Sequence, residues 1–342
     1  MNALDNATGI LPEKVETLPL VTPEQRQAIL SAPRTTEAHR AFMSDIPAMN
    51  MVETSGAATD QTVPQIFTVA AWNLERCLFP EKSAALLASQ APDVVLLSEV
   101  DCGMARTGQR HPTAELAASL GMHYSYGVEF FEIDLGGDTE RPYCVDDHNK
   151  AGWHGNAVLS RAAPLSSAMI RLDDHGHWYV AGEFGCDPNQ PRIGGRMAIA
   201  TIIPAVTGNI CVASVHLESN ADSAHRGGQM ERLIEAIENF APGLPVVIGG
   251  DLNTGNSKES PNWQDESLFD IARMHGFSWD NNADGVTTRR SYLTPHPTRS
   301  MKLDWFASRG LSMDGARIVP ALDVDGEPLS DHELIVGHFA MP

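Results

Sequence analysis

The chain has 342 residues, enough for one large domain or two ordinary ones, and its composition of 42% hydrophobic and 20% charged residues is typical of a soluble globular protein. Its 24 basic and 44 acidic side chains give a formal net charge of -20, which disfavours tight, sequence-independent binding to nucleic acid. Local basic pockets or bound cations could still reverse the sign where a substrate docks.

Residues 1–64 differ from the rest of the chain because six prolines punctuate them. Within this segment Thr22-Pro23-Glu24 predicts a helix start, with Thr22 as N-cap, that leads into Gln25–Leu30. We interpret the segment as an N-terminal extension of short helices and loops, and 65–342 as the main domain. The sequence leaves open whether the extension packs on that domain, covers a site or mediates assembly.

From residue 66 onward, short apolar strands alternate with helices and polar loops. The predicted strands are Ile66–Trp72, Val94–Ser98, Ala157–Leu159, Met197–Ile203, Ile210–His216, Pro245–Gly249, Leu303–Ala307 and Leu334–Phe339. The predicted helices are Pro80–Gln90, Thr113–Leu120 and His225–Asn239. Many strands with few helices favour an α/β sandwich, with sheets packed inside and helices outside.

The five cysteines are widely spaced and include no C-x-x-C pair, so we expect reduced thiols at Cys77, Cys102, Cys144, Cys186 and Cys211. No apolar run approaches the length of a membrane span, and the N-terminus lacks the pattern of a secretory signal. We therefore expect a cytoplasmic protein without a transmembrane segment.

The apolar run Val246–Ile248 stops at two glycines and is followed by Asp251 and Asn253. These two polar residues are two positions apart, so they lie on the same side of an extended backbone. A carboxylate and an amide that face one point suit a metal-activated water and a developing oxyanion. Taken alone, the motif is equally typical of a turn.

Other strand ends repeat this chemistry. An acid inside or at the end of an apolar run is costly to bury unless it is paired or bound to a metal. The residues concerned are Asn73 and Glu75 after the first strand, Glu99, His216, Asp304, and Asp331-His332 before the last strand. Their recurrence predicts one shared site.

In order and spacing, these motifs resemble the endonuclease/exonuclease/phosphatase superfamily, which includes DNase I-like nucleases, neutral sphingomyelinases and inositol-polyphosphate 5-phosphatases. The resemblance covers about residues 66–342 and rests on W-N-x-E at Trp72, Glu99, G-N-A-V-L-S-R at Gly155, H-L-E-S at His216, G-D-L-N at Gly250, L-D-W-F and S-D-H. It implies a four-layered α/β sandwich with two packed mixed sheets, and a catalytic domain that hydrolyses phosphoesters with a metal ion.

The resemblance also implies a metal site for Mg²⁺ or Mn²⁺. Glu99 would be a direct ligand, Asn73 a neighbouring oxygen donor and Asp331 a further ligand, while Glu75 is a plausible second metal contact. Hard oxygen ligands of this kind suit these two ions. Glu99 could instead form a surface salt bridge, and Asp331 could be an ordinary turn residue.

The catalytic roles follow from the same resemblance. Asp251 would orient or deprotonate the attacking water, and Asn253 would steady the phosphoryl oxygens. His332 would contact the phosphate or act as an acid or base, with Asp304 holding its imidazole. His216 resembles the second histidine of DNase- and sphingomyelinase-like members, although a hydrogen-bonded core histidine is the alternative.

One departure concerns the segment before the third predicted strand. Abasic-site nucleases of the superfamily carry a tyrosine where this chain has Trp153, whose indole nitrogen only donates a hydrogen bond. This counts against a close copy of the DNA-repair mechanism. Trp153, His154 and Asn156 are candidates for substrate binding, and core packing or loop shaping is the alternative.

The segment Glu129–Lys150 contains seven acidic residues against Arg141 and Lys150. We interpret it as a solvated loop, or as a loop beside the site that would repel a nucleic-acid backbone. The first functional hypothesis is therefore a phosphodiesterase or phosphatase for a small molecule or lipid headgroup. The alternatives are a nuclease on DNA or RNA, a non-catalytic binding or scaffold protein, and a hydrolase of a non-phosphate bond. The sequence leaves open the substrate, the number of metal ions and the oligomeric state.

Overall fold

In a computed structural model, the chain forms two mixed β-sheets that pack face to face, with helices on their outer faces. The structure describes residues 9–183, 186–187, 190–257, 261–298 and 300–342. The predicted four-layered α/β sandwich is confirmed.

The strands are β1 Ile10–Leu11, β2 Lys14–Val15, β3 Val52–Gly56, β4 Ile66–Arg76, β5 Val94–Cys102, β6 His123–Glu132, β7 Trp153–Ser160, β8 Ser166–Arg171, β9 Arg192–Gly194, β10 Met197–Ala205, β11 Gly208–His216, β12 Val246–Asp251, β13 Asp304–Arg309, β14 Ser312–Val319 and β15 Leu334–Ala340. The helices are α1 Pro23–Ser31, α2 Thr36–Asp45, α3 Pro80–Ser89, α4 Pro112–Leu120, α5 Ser223–Phe240 and α6 Leu268–Met274. Short 3-10 turns lie at Pro47–Asn50, Ala105–Thr107, Arg141–Tyr143 and Trp263–Asp265.

The larger sheet has the order β14-β15-β4-β5-β7-β6-β3-β2, with β9 paired to β6. The smaller sheet has the order β1-β8-β10-β11-β12-β13. At the centre of each sheet one pair is parallel, β4 with β5 and β11 with β12. Because parallel neighbours end at the same edge, their carboxyl ends can gather polar residues at one place.

Strand β4 shows why the central strands read as continuous apolar runs. Phe67 and Val69 face the core between the two sheets, whereas Ala70 and Trp72 face the core beneath the helices. Successive side chains of a strand point to opposite faces, so a strand covered on both faces needs apolar residues at every position.

The N-terminal segment packs on both sheets. Thr22 caps α1 as predicted, because its Oγ1 accepts a 3.2 Å hydrogen bond from the Gln25 amide and Pro23 follows at the first helical position. Strand β3 pairs with β6 in the larger sheet, and β1 pairs with β8 in the smaller one. The division at residue 64 stays a prediction, and residues 1–8 lie outside the described residues.

The acidic segment differs from the solvated loop that its composition predicts. Glu129 and Glu132 lie on β6, buried, where Glu129 pairs with Arg196 at 2.7 Å and Glu132 pairs with Arg106 at 2.9 Å. The loop interpretation is therefore wrong for these two residues. A local count of charges misses cations that the fold brings from other segments.

All five cysteines are free thiols in the structure. Within the described ranges, no helix combines the length and apolar character needed to cross a bilayer.

Candidate active site

Strand pairing brings the predicted residues of the smaller sheet together. His216 on β11 is the register partner of Asp251 on β12, and Asp251 is the partner of Asp304 on β13. Side chains on one rung of a sheet point to the same face, so the three polar groups are neighbours. From the larger sheet, the Asn73 amide donates to Asp251 Oδ2 at 3.0 Å and to Glu99 Oε1 at 3.2 Å. Asn73 therefore joins the two sheets at the site.

Strained backbone marks the same place. Glu75, Arg76, Glu99 and Asn253 have φ angles of +44°, +79°, +54° and +50°, a left-handed region that residues other than glycine adopt at a cost. The register of β4 with β5 also shifts between Asn73 and Arg76. Such irregularities are typical of functional sites, because they turn side chains away from their regular positions in the sheet.

His332 and Asp304 form a buried hydrogen-bonded pair. His332 Nδ1 lies 2.8 Å from Asp304 Oδ2, and the side chains are 7% and 1% exposed. Burial disfavours the charged imidazolium, but the carboxylates of Asp304 and Asp251 outweigh burial and hold the pKa of His332 well above its usual value. A raised pKa favours the imidazolium form, in which Nδ1–H donates to Asp304.

Asp251 is the hub of the site. Its Oδ1 accepts a 2.9 Å hydrogen bond from the backbone N–H of Asn253. Its Oδ2 lies 3.6 Å from Nε2 of both His216 and His332. The carboxylate is thus fixed by a backbone donor and by Asn73, and both imidazoles lie near its Oδ2.

His216 is supported by residues that sequence analysis did not include in the site. Arg196 Nη1 lies 2.8 Å from His216 Nδ1, and Glu129 Oε2 lies 3.2 Å from the same nitrogen. Arg196 also reaches Glu218, with Nε 3.2 Å from Oε2. Glu129 lies on β6 and Arg196 lies just before β10, 87 and 20 residues from His216 in the sequence, so motif spacing gives no signal for them.

A second group of carboxyls lies beside this hub. Burial and the charge of Asp331 raise the pKa of Glu75 to about 8, and burial and the charge of Glu99 raise the pKa of Asp331. Thr294 Oγ1 lies 2.8 Å from Glu75 Oε1 and 2.9 Å from Asp331 Oδ2. Because one hydroxyl has one hydrogen, both contacts are hydrogen bonds only when one carboxyl is protonated, which agrees with the raised pKa values.

These carboxyls fit a divalent cation. Glu75, Glu99 and Asp331 are hard oxygen donors whose repulsion a cation would relieve, and Asn73 adds a neighbouring amide. In the structure the Arg76 guanidinium pairs with Glu99 and, at 2.9 Å, with Glu140. Among the described residues of this site, the acidic and histidine side chains whose ligand atoms all lie within 4.8 Å of one another are those of Asp251, Asp304 and His332. Their arrangement is better explained by the Asp304–His332 hydrogen bond, which occupies the Nδ1 nitrogen.

The site opens into a cavity of about 240 Å³. Six predicted residues line it: Glu99, His216, Asp251, Asn253, Asp331 and His332. The rest of the lining includes five residues of the segment before β13: Thr288, Arg289, Thr294, Thr298 and Met301. Sequence analysis missed this part of the lining, and the only signal for it is the basic pair Arg289-Arg290 in a polar loop.

Asn253 and the three candidate substrate-binding residues contact the interior of the protein. Asn253 lines the cavity, but its Nδ2 donates to the Leu217 carbonyl at 3.0 Å. Trp153 is 1% exposed in the core, His154 Nδ1 lies 2.9 Å from Asp101 Oδ1, and Asn156 donates to the Met197 carbonyl at 2.9 Å. The last three are not among the residues that line the cavity, so their positions favour the packing alternative over substrate binding.

The family model described as the Endonuclease/Exonuclease/phosphatase family matches residues 70–332. The chain belongs to this family. Its members are generally metal-dependent hydrolases of phosphoesters, among them nucleases and phosphodiesterases. A search of curated proteins finds no match to the chain.

Solved structures of the family share the fold. An endonuclease/exonuclease/phosphatase from Beutenbergia cavernae has a TM-score of 0.55 and 17% identity, over 81% of this chain and 72% of that one. A Bacteroides vulgatus protein has a TM-score of 0.54 and 15% identity, over 81% and 99% of the two chains. The human nocturnin catalytic domain with bound sulfate has a TM-score of 0.52 and 17% identity, over 85% and 98%. At these identities the likeness shows the fold alone.

Proposed function

We propose that the chain is a cytoplasmic, divalent-cation-dependent phosphodiesterase or phosphatase that acts on a small-molecule or lipid-headgroup phosphoester. The observation that carries this proposal is the Asp251 carboxylate, which has the imidazoles of His216 and His332 near its Oδ2 at the wall of a cavity. This arrangement provides a proton acceptor for water beside donors for a charged phosphoryl group.

Glu99 and Asp331 would hold the cation, Mg²⁺ or Mn²⁺, with Asn73 and Glu75 as neighbouring donors. When bound, the ion supplies positive charge against the phosphoryl oxygens and lowers the pKa of a bound water. Glu75 and Asp331 would then be ionised, since the cation offsets the repulsion that raises their pKa values.

The chain's own residues would carry the chemistry. Asp251 accepts a proton from the water that attacks phosphorus in line with the leaving oxygen. The protonated His332 donates from Nε2 to an oxygen on which charge develops, and Asp304 keeps its ring oriented and charged. His216 contacts the phosphoryl group beside Asp251. Asn253 steadies a phosphoryl oxygen once its amide leaves the Leu217 carbonyl.

Cavity size and charge support a small substrate. A cavity of about 240 Å³ accommodates a phosphoryl group with a limited substituent, and the net charge of -20 disfavours a polyanionic strand. A second cavity, of about 430 Å³, shares the lining residue Met301 with the first. Lys302 and Trp263 line this second cavity, and Lys302 Nζ lies 5.6 Å from the centre of the Trp263 ring. An aromatic and cationic wall suits the organic part of a phosphoester.

A metal-resolved activity screen tests the proposal. The purified full chain is assayed with EDTA, Mg²⁺ or Mn²⁺ on phosphomonoesters, small chromogenic diesters, sphingomyelin-like lipids and single- and double-stranded nucleic acid. His332→Ala serves as the blank and Asp270→Asn, an exposed acid on α6, as the matched control. We expect cation-dependent turnover of a small or lipid phosphoester that varies little with salt.

Other outcomes separate the alternatives. Cleavage of nucleic acid with a steep loss of activity at higher salt would replace the proposed substrate class with DNA or RNA. Turnover of none of the substrates would overturn the proposal and favour a binding protein or a hydrolase of another bond.

A further inference from the structure

A group of nitrogen and oxygen donors lies outside the candidate active site. Asp173 and His177 belong to the loop after β8, and His225 lies in the first turn of α5. One ligand atom from each of the three residues lies within 4.8 Å of the others. None of the three is among the residues that line either cavity described above.

The distances within this cluster fit a metal site and lie at the long end of the range for a hydrogen bond. Asp173 Oδ2 lies 3.2 Å from Nε2 of His177 and 3.2 Å from Nε2 of His225. A charge-assisted hydrogen bond is shorter, about 2.7–2.9 Å. Two ligands of a tetrahedral zinc ion with bonds of about 2.0–2.1 Å are about 3.3 Å apart. Both measured distances are close to that edge length.

One of these nitrogens is left without a hydrogen bond. His225 Nε2 is a buried atom, and no group in the described part of the chain makes a hydrogen bond of good geometry to it. A buried nitrogen that faces a carboxylate without such a bond is a position that a cation would satisfy.

The surrounding groups orient the three donors. Glu183 Oε2 lies 3.4 Å from Nδ1 of His177, the ring nitrogen that does not face Asp173. The His175 amide donates to Asp173 Oδ1 at 2.7 Å, and the Asp222 carboxylate caps α5 by accepting from the His225 amide at 2.9 Å. In metal sites a carboxylate or carbonyl usually accepts from the second ring nitrogen of a histidine. Glu183 offers such a carboxylate to His177, at a distance longer than a typical hydrogen bond.

We propose that Asp173, His177 and His225 form a separate binding site for a zinc ion, with a fourth position open to water. Two imidazoles and one carboxylate are a donor set that zinc accepts. The carboxyl cluster of the active site offers hard oxygen donors suited to Mg²⁺ or Mn²⁺. The two sites therefore differ in the metal that they select.

An ion at this site would also connect the loop after β8 to the active site. Trp178, next to His177, donates from Nε1 to Glu218 Oε2 at 3.1 Å. Glu218 in turn accepts from Arg196, which contacts His216. The zinc ion would thus fix the loop that carries Trp178, and Trp178 would hold Glu218 and Arg196 in place. Through these residues the zinc site would position His216, without itself taking part in catalysis.

Zinc titration of the full chain tests the proposal. The protein is stripped with EDTA, dialysed, and titrated with Zn²⁺ by calorimetry at pH 7.5 in excess Mg²⁺, which occupies the active site. His177→Gln and His225→Gln remove one ligand each and keep a polar side chain of similar size. The matched control is His275→Ala, a half-buried histidine whose Nδ1 lies 3.5 Å from Glu238 Oε1.

We expect one zinc ion per chain in the wild type, in His275→Ala and in Asp251→Asn. Each ligand variant should lose at least about 100-fold in zinc affinity. Co²⁺ bound in place of zinc should show visible absorption bands of a four-coordinate site that both ligand variants lose, and melting temperatures in EDTA check that the variants fold. Unchanged zinc affinity in both ligand variants would overturn the proposal, as would zinc binding that only Asp251→Asn removes. Neither outcome depends on phosphoesterase activity.

Discussion

His332 Nδ1 lies 2.8 Å from Asp304 Oδ2, and both side chains are buried against strands of different sheets. The pair crosses the interface between the sheets, since Asp304 starts β13 of the smaller sheet and His332 precedes β15 of the larger one. Asp304 and Asp251 together hold the pKa of His332 well above its usual value. The packing of the two sheets therefore places His332 beside the carboxylates that favour its charged form.

Replacing Asp304 by Asn should lower kcat by ~10²- to 10⁴-fold, because His332 loses the carboxylate that orients and charges it. The pKa of His332 should fall, so the alkaline limb of kcat/KM should move to lower pH. A pH profile of the wild type, Asp304→Asn and the control Asp270→Asn measures both effects. An alkaline limb at the same pH in all three proteins would contradict this role of Asp304.

The contribution of Glu75 to stability without metal should decrease as pH rises. Folding raises the pKa of Glu75 from 4.5 to about 8, so the folded state keeps a proton that the unfolded state loses above pH 4.5. The stabilisation is complete below pH 4.5 and is lost progressively up to about pH 8, by a few kcal/mol on the scale of about 1.4 kcal/mol per pKa unit. Urea unfolding in EDTA should show this loss in the wild type, with a smaller slope in Glu75→Gln. Equal slopes would show that Glu75 does not titrate in this range.

Arg289 should contribute to substrate binding, since it lines the same cavity as Asp251 and Glu333 is its ion-pair partner at 3.1 Å. Arg289→Ala should raise KM about 10- to 100-fold with a smaller change in kcat, the scale of a lost charge-assisted hydrogen bond. Arg273→Ala, an exposed arginine on α6, is the control. A KM within twofold of the wild type would exclude Arg289 from substrate binding.

The buried ion-pair network of Arg106, Asp101 and Glu132 should be essential for stability. Arg106 makes a bidentate contact with Asp101, both distances being 2.8 Å, and also pairs with Glu132. Arg106→Ala leaves these carboxylates buried without their cation and should cost about 3–5 kcal/mol of unfolding free energy. Arg110→Ala, which removes exposed ion pairs, should cost less than about 1 kcal/mol. Equal losses in the two variants would show that burial of the network contributes nothing.

Most of the site could be predicted because its residues interrupt apolar strands, and such interruptions are visible locally. Asn73, Glu99, His216, Asp251 and Asp304 all lie at or near strand ends, and the structure brings them together. Strand β4 runs to Arg76, four residues beyond the predicted end at Trp72, because the chain continues through an irregular register shift.

The strands and the part of the cavity wall that the sequence did not predict depend on partners that lie far away in the sequence. Strand β6 was not predicted, because its buried Glu129 and Glu132 read as loop residues until Arg196 and Arg106 are placed beside them. Strand β14 is a half-exposed edge strand without a regular apolar pattern. The cavity wall with Arg289 comes from a loop, whose position no periodicity indicates.

The central claim is that Asp251 activates the attacking water, and single-turnover hydrolysis of a small phosphodiester by Asp251→Asn tests it most directly. The substitution keeps the size of the side chain and removes the proton acceptor. With saturating Mg²⁺ and enzyme in excess, we predict a rate at least about 10³-fold below that of the wild type and of Asp270→Asn, with substrate affinity within a few-fold. A single-turnover rate within tenfold of the wild type would contradict the claim.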